Sequence, residues 1–462
     1  MDDTPGQHAR PRTGDGVKAR STSTGRRLDR QIFALAWPAL GALVAEPLFV
    51  LIDSAVVGHL GTAELAALAL ASTVLVTLVA VFVFLAYATT AAVARKLGAN
   101  DQAGALSVGL DGVWLALVLG ILLAVVGLVF AQPLVASLGA SATVLPHAVA
   151  YVQASAVGVP GMLVVLATTG ALRGLQDTRT PFRVAVAGAI LNAGGSVALV
   201  YGAGLGVTGS GLATALTQTG MAITLTLPLL RAAHARGVSL RPHLGGIVAN
   251  ARAGLPLLIR TITLRVALLA TVLVATGLGQ VPLAAHQIVN SVWALVAFAL
   301  DALAIAAQAL IGRGLGAGDA DGVRALARRC LWWGTWAGAG FGVVVAVSGP
   351  VLTPLFTEDS AVQQAASWGL LVCGVMMPIA GWVFVLDGVL IGAGDGRYLA
   401  AAGVGTLVAY LPLVLAVLWW APRGPVGLIW LWLAFSGGFM LARAVANGAR
   451  VRGRAWLVLG DR

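Results

Sequence analysis

The chain has 462 residues, 59% of them hydrophobic and only 10% charged, with a formal net charge of +11 and a mean hydropathy of +0.92. An ordinary soluble domain carries roughly 25% charged residues, so there are too few polar groups here to coat a globule in water, and lipid is the expected solvent. Cys330 and Cys373 sit in or beside apolar runs without metal-ligand spacing, which argues against a disulfide, a zinc site or any other bound metal.

Residues 1–31 are polar and rich in Arg, Asp, Thr and Gly, a composition expected to give a disordered tail. Twelve apolar stretches follow, at 32–58, 66–93, 106–130, 148–171, 181–203, 209–230, 247–276, 284–311, 326–355, 364–391, 398–420 and 426–447. Each approaches or exceeds the roughly 20 residues that cross a bilayer. All are expected to be α-helical, because unpaired backbone groups are too costly in hydrocarbon. The predicted fold class is therefore an all-α integral membrane protein with twelve transmembrane helices in two six-helix lobes. The N lobe spans 32–231 and the C lobe 247–449, joined by a loop at 232–246, with a short tail at 450–462. Apart from Arg260, Arg265 and Arg423, every Arg and Lys falls in the tails, in alternate connections or within about a turn of the span ends that border them. By the positive-inside rule both termini are then cytoplasmic. The same placement explains the basic character without a nucleic-acid partner.

The chain also contains itself twice, at one constant offset. Gly170-Ala-Leu-Arg-Gly174-Leu-Gln-Asp177-Thr-Arg179 returns as Gly388-Val-Leu-Ile-Gly392-Ala-Gly-Asp395-Gly-Arg397. At the same shift Arg95-Lys-Leu-Gly98 returns as Arg313-Gly-Leu-Gly316, while Pro38 maps to Pro256 and Pro160 to Pro378. Two apolar halves repeated in parallel are the mark of a secondary transporter that rocks one lobe against the other. The glycine-rich motifs lack both the preceding strand and the Gly-Lys-Ser/Thr of a phosphate-binding loop. A structural task follows instead, with Asp and Arg pairing around a short turn.

Particular residues carry a family resemblance. Glu46-Pro-Leu-Phe-Val-Leu-Ile-Asp53-Ser-Ala-Val-Val-Gly58 resembles the first helix of the MATE (multidrug and toxic compound extrusion) transporters, above all their DinF-like branch. Leu283-Ala-Ala-His286-Gln287 and Asp301-Ala-Leu-Ala-Ile-Ala-Ala-Gln308 look like the family's eighth helix, and Asp387-Gly388 like its tenth. The resemblance covers about residues 30–450. It implies a V-shaped pair of lobes in a bacterial inner membrane and export of amphipathic or cationic organic compounds in exchange for H+, with Na+ as the other coupling ion to consider. No further cofactor is implied. The expected partners are the small organic substrate and membrane lipids, and the expected state is a monomer. The resemblance also places the coupling carboxylate at Asp53. Related members often carry Asn-x-x-x-Asp on the fifth helix; here Asn192 matches but Ser196 replaces the acid, which weakens any two-carboxylate or Na+ site. His286 and Gln287 join Asn192 and Ser196 as cavity candidates, although His286 reads more readily as a polar packing residue.

Charge at mid-bilayer is costly and usually functional. Glu46 lies seven residues before Asp53, on nearly the same helix face and about 10 Å away, so both can line one cavity. Arg260, Arg265, Asp301 and Asp387 all fall in the C lobe, where a buried ion pair such as Arg265 with Asp387 or Asp301 would offset mutual desolvation. Other classes fit less well. A lipid-intermediate flippase of the same wider superfamily would need a more basic cavity, and a membrane enzyme would need clustered acid, base or nucleophile groups at one depth. A channel would need a filter motif.

Overall fold

The computed structural model describes residues 13–460, with side chains for 25–45 and 47–460. The described residues that adopt regular structure are helical. The first half contains α1 (Thr13–Gly58), α2 (Thr62–Val81), α3 (Phe84–Gly98), α4 (Gln102–Ser137), α5 (Leu145–Ala156), α6 (Val159–Gly174), α7 (Arg179–Val197) and α8 (Gly206–Ala235). The second half contains α9 (Leu244–Leu278), α10 (Gln280–Gly316), α11 (Ala320–Leu352), α12 (Ser360–Gly392), α13 (Gly396–Trp420), α14 (Pro425–Trp432) and α15 (Met440–Arg452). π-helical turns extend α7 through Gly202 and join α14 to α15. Among the described residues eleven stretches are long and apolar enough to cross a membrane, and the pair α5–α6, bent by 49°, makes a twelfth. The predicted class and span count are thus met.

The repeat is written into the backbone as well as the sequence. Asp101 caps α4 by accepting from the Gly104 amide at 2.7 Å, and its counterpart Asp319 caps α11 by accepting from Gly322 at 2.8 Å. Asn100 and Gln176 are non-glycine residues with positive φ, and their counterparts Gly318 and Gly394 share that conformation. A left-handed residue closes each of these helix ends. Where the first half puts Asn and Gln the conformation is costlier than at glycine, and Gln176 is tied to the opposite lobe through Ala309.

One expectation fails at the N-terminus. Residues 13–31, read as disordered, begin α1, while residues 1–12 lie outside the described residues. Asp29 explains how part of the segment is held: it accepts from Arg329 Nε and Nη2 at 2.6 and 2.7 Å and from Trp333 Nε1 at 2.7 Å. Arg329 in turn lies over the Trp332 ring, 4.7 Å from its centroid. A polar composition does not reveal a bidentate partner in the other half of the chain.

The lobes meet at the end that carries the turns after α3, α6, α10 and α12. Here α3 and α10 touch backbone to backbone. A Cβ on Gly98 would strike the Arg313 carbonyl, and one on Gly316 would strike the Arg95 carbonyl. Arg95 Nη2 donates across the interface to the Ala393 carbonyl at 2.7 Å, Gln176 Nε2 to Ala309 at 3.1 Å, and Gln308 Nε2 to Tyr87 at 2.6 Å. The amide and guanidinium donors are thereby answered by carbonyls of the opposite lobe; left without an acceptor they would be costly to bury. Because the contact is rigid backbone on both sides, Gly316→Val should force the lobes apart and cost on the order of 1–3 kcal/mol. Gly405→Val, where a Cβ meets nothing within 4 Å, should leave stability nearly unchanged. Thermal unfolding in detergent checks this, and equal melting temperatures for the two variants would refute it.

Candidate functional site

Asp53 lies in the last turns of α1 and is only 4% exposed. Its carboxylate is gripped by three other helices of the N lobe. Oδ1 accepts from Asn192 Nδ2 at 3.0 Å and from Ser196 Oγ at 2.9 Å, both on α7. Oδ2 accepts from Thr214 Oγ1 on α8 at 3.1 Å and, more loosely, from Tyr151 on α5 at 3.4 Å. Asn192 and Ser196 are four apart, so one face of α7 presents both to the same oxygen. Thr214 is also 3.3 Å from Asn192 Oδ1. The result is one acid saturated by neutral donors, with no ion pair to it among the described residues.

Asp53, Asn192 and Ser196, each singled out from the sequence, are thus direct neighbours. Tyr151 and Thr214 complete the group without having been anticipated. The side chain of Glu46 lies outside the described residues. His286 and Gln287 do not join this group. His286 is buried in the C lobe against Trp432, ring centroids 5.5 Å apart, with Nδ1 unbonded, while Gln287 is exposed. At the C-lobe positions equivalent to Asp53 and Asn192 stand Thr271 and Tyr410, whose hydroxyls meet at 2.6 Å. The two lobes share a backbone plan, but only the first places an acid there.

The C-lobe charges sit elsewhere, and the expected pairing needs correction. Arg265 is exposed and takes no part. Asp387 on α12 instead pairs through Oδ2 with both Arg260 on α9 and Arg443 on α15, and its Oδ1 accepts from Asn447 Nδ2 at 2.7 Å. Arg260 and Arg265 are five residues apart, about 140° around the helix, so only one can face the interior. Arg443 and Asn447, four apart, share the inner face of α15. Asp301 accepts from the Tyr87 hydroxyl of the opposite lobe at 3.4 Å, with Arg173 and Arg260 the cations whose fields reach it. Arg173, which the sequence places just after the apolar stretch 148–171, is buried. In the repeated glycine motifs, Asp177 caps α7 through the amides of Arg179 and Thr180, both at 3.0 Å, and Asp395 pairs with Arg450 at 2.6 Å. Neither of these acids forms a salt bridge with the arginine two residues later in its own motif.

Removing one partner of a buried pair strands the other at about 3–5 kcal/mol. Asp387→Asn should therefore destabilise strongly, since it leaves two guanidiniums facing each other. Arg443→Gln should cost far less, because Arg260 still answers Asp387. The double variant should recover much of the loss. A thermal-shift double-mutant cycle tests this, and an Arg443 variant as unstable as the Asp387 variant would overturn the assignment.

Similarity to known proteins follows the same division of the chain. The MatE family model matches twice, at residues 38–197 and 256–417. Protein DETOXIFICATION 44, chloroplastic, of Arabidopsis thaliana is 32% identical, over 94% of this chain and 84% of that protein. DNA damage-inducible protein F of Escherichia coli is 28% identical over 83% and 86%, and a probable multidrug resistance protein NorM of Xanthomonas axonopodis is 30% identical over 85% of each. Among solved structures, an outward-facing multidrug resistance MATE family transporter superposes with a TM-score of 0.81 at 21% identity, covering 92% of this chain and 96% of that one. With the fold and both halves of the sequence in agreement, the chain belongs to the MatE family of multi-pass membrane transporters.

Proposed function

We propose that the chain is a proton-coupled antiporter of a bacterial inner membrane, acting as a monomer with both termini cytoplasmic. In this reading it exports amphipathic or cationic organic compounds by alternating access between its lobes. The observation that carries the reading is the lone buried acid Asp53 at the centre of a set of neutral donors. A carboxylate that accepts hydrogen bonds through both oxygens ties α1 to α5, α7 and α8. When it takes a proton, one oxygen becomes a donor and part of that set loses its acceptor. Protonation thus changes how tightly α1 is held, which is what a coupling site has to do. Na+ fits the same site less well. It seeks several hard oxygen ligands, whereas Asn192 turns its amide nitrogen toward Asp53 and no second acid pairs with the group among the described residues.

The energetics suffice without ATP. One proton crossing ~100 mV supplies about 2.3 kcal/mol, and each pH unit adds about 1.4 kcal/mol. Together these sustain a gradient of an uncharged compound on the order of 100-fold or more.

Proteoliposomes with an imposed pH gradient and no Na+ should show efflux of a fluorescent organic cation. Asp53→Asn, which keeps shape but cannot ionise, should abolish it while leaving the protein folded and inserted. Ser196→Ala and Thr214→Val should each lower the rate several-fold and retain pH dependence. Transport that needs Na+ and ignores the pH gradient, or wild-type efflux from the Asp53 variant, would defeat the proposal.

A further inference from the structure

The end at which the lobes meet is held by more than the contact of α3 with α10. In each half the first helix starts against the other half. α1 opens the N lobe, yet its Asp29 bonds to Arg329 and Trp333 on α11 of the C lobe. Phe33, one turn on, meets the Trp333 ring edge to face, with centroids 4.6 Å apart. α9 opens the C lobe, yet its Asn250 Nδ2 donates to the Val108 carbonyl on α4 of the N lobe at 3.1 Å. Trp114 Nε1 on α4 donates to the Leu240 carbonyl, just before α9, at 3.2 Å. A Cβ on Gly246 would strike the Asp111 carboxylate of α4, and one on Gly254 the Phe84 ring of α3. At the constant offset of the repeat α1 corresponds to α9, α4 to α11, and Asp111 to Arg329. The two helix starts therefore cross from lobe to lobe as a pseudo-symmetric pair.

The two crossings differ in strength. The bonds of Asn250 and Trp114 that hold α9 on α4 join uncharged groups. α1 is held on α11 by a guanidinium gripping both oxygens of a carboxylate, a stronger and geometrically more exacting contact. The choice of partner is selective. Arg26, three residues before Asp29, is spaced for a pair along the same helix, yet it stays exposed while Asp29 takes Arg329. Stacking over Trp332 fixes the Arg329 guanidinium in turn. Water still reaches the pair, whose side chains are 21% and 32% exposed. That suits a contact that has to open. Charges parted at the edge of water are solvated at once, whereas parting Asp387 from its two arginines would strand charge in the interior.

We propose that the starts of α1 and α9 are crossed straps over this end, and that the Asp29–Arg329 pair is the lock on the first, so that the lobes part here only after that pair breaks. Each strap joins groups on opposite lobes. It stabilises the arrangement in which they are close and contributes nothing to the one in which they are apart. A contact of that kind biases a two-state equilibrium by its own strength. The lock rests on the reading of alternating access between the lobes, and not on Asp53 or on the ion that drives transport.

The test uses purified full-length protein in lipid nanodiscs, with Cys330 and Cys373 replaced by alanine and spin labels on Ala103→Cys and Asp321→Cys. These two positions are exposed and equivalent in the repeat, and lie in the first turns of α4 and α11, one on each lobe. Pulsed electron–electron distance measurement should give one main, short distance in this background. Asp29→Asn and Arg329→Gln should each raise the long-distance population roughly tenfold. Trp333→Phe, which keeps a ring but loses one donor to Asp29, should raise it less. The charge-swapped pair, Asp29→Arg with Arg329→Asp, should bring it most of the way back. Arg450→Gln, which breaks an ion pair within the C lobe, should leave it unchanged. Gly316→Val is the positive control, since it forces the lobes apart at the same end. A long distance in that control with no gain in the Asp29 and Arg329 variants would overturn the lock. So would an equal gain from Arg450→Gln, or a swapped pair no different from the single variants. Distances fixed in every variant, the control included, would refute the lock and alternating access together. Because no gradient is applied, none of these results bears on proton coupling at Asp53.

Discussion

A charged group carried into hydrocarbon has to be answered by neighbours within reach of its own side chain, because no solvent will do it. That constraint organises the interior of this protein. Asp53 is answered by neutral donors from three helices, and Asp387 by two arginines from two others. The helices that supply these partners are fixed relative to one another by the need to supply them. Polar side chains obey the same rule at the lobe interface, where Arg95, Gln176 and Gln308 each donate to a carbonyl of the opposite half.

The two halves have kept their geometry and changed their chemistry. Helix caps and left-handed turn residues recur at the same offset, as does the glycine at the lobe contact. The polar residues in the interior do not recur. Asp53 and Asn192 correspond to Thr271 and Tyr410, and the arginine pair of the C lobe corresponds to Ala42 and Leu225. An acid among neutral donors favours reversible exchange of a proton, since either protonation state finds hydrogen bonds. An acid shared by two guanidiniums is held as an anion and lends itself to structure. Duplication supplied the frame, and divergence gave each lobe a different electrostatic task.

Much of this was legible in the sequence because it depends on composition and spacing. Spans and repeat follow from apolar length and a constant offset. Asp53 with Asn192 and Ser196 was readable because an acid, and an Asn and a Ser one helical turn apart, stand out inside otherwise apolar helices. Tyr151 and Thr214 were not, since single hydroxyls in membrane helices commonly bond their own backbone, as Thr90 does to the Ala86 carbonyl. The choice of Arg265 over Arg260 failed for a related reason. Sequence places both in one span but does not say which helix face looks inward. Arg443 was hidden among the basic residues of its helix. Only packing shows that it points inward while Arg450 reaches Asp395.

The hydroxyl pair of Thr271 and Tyr410 has a consequence for the electrical character of the cycle. Under the proposed coupling at Asp53, neutral groups stand at the equivalent positions of the second lobe, so one proton would enter per turnover. Exporting a monovalent cation would then be electroneutral and draw only on the pH difference. Exporting an uncharged compound would move a net charge inward and draw on the membrane voltage as well. The same protein would therefore concentrate neutral and cationic compounds to different limits, set by the charge of the cargo rather than by its affinity.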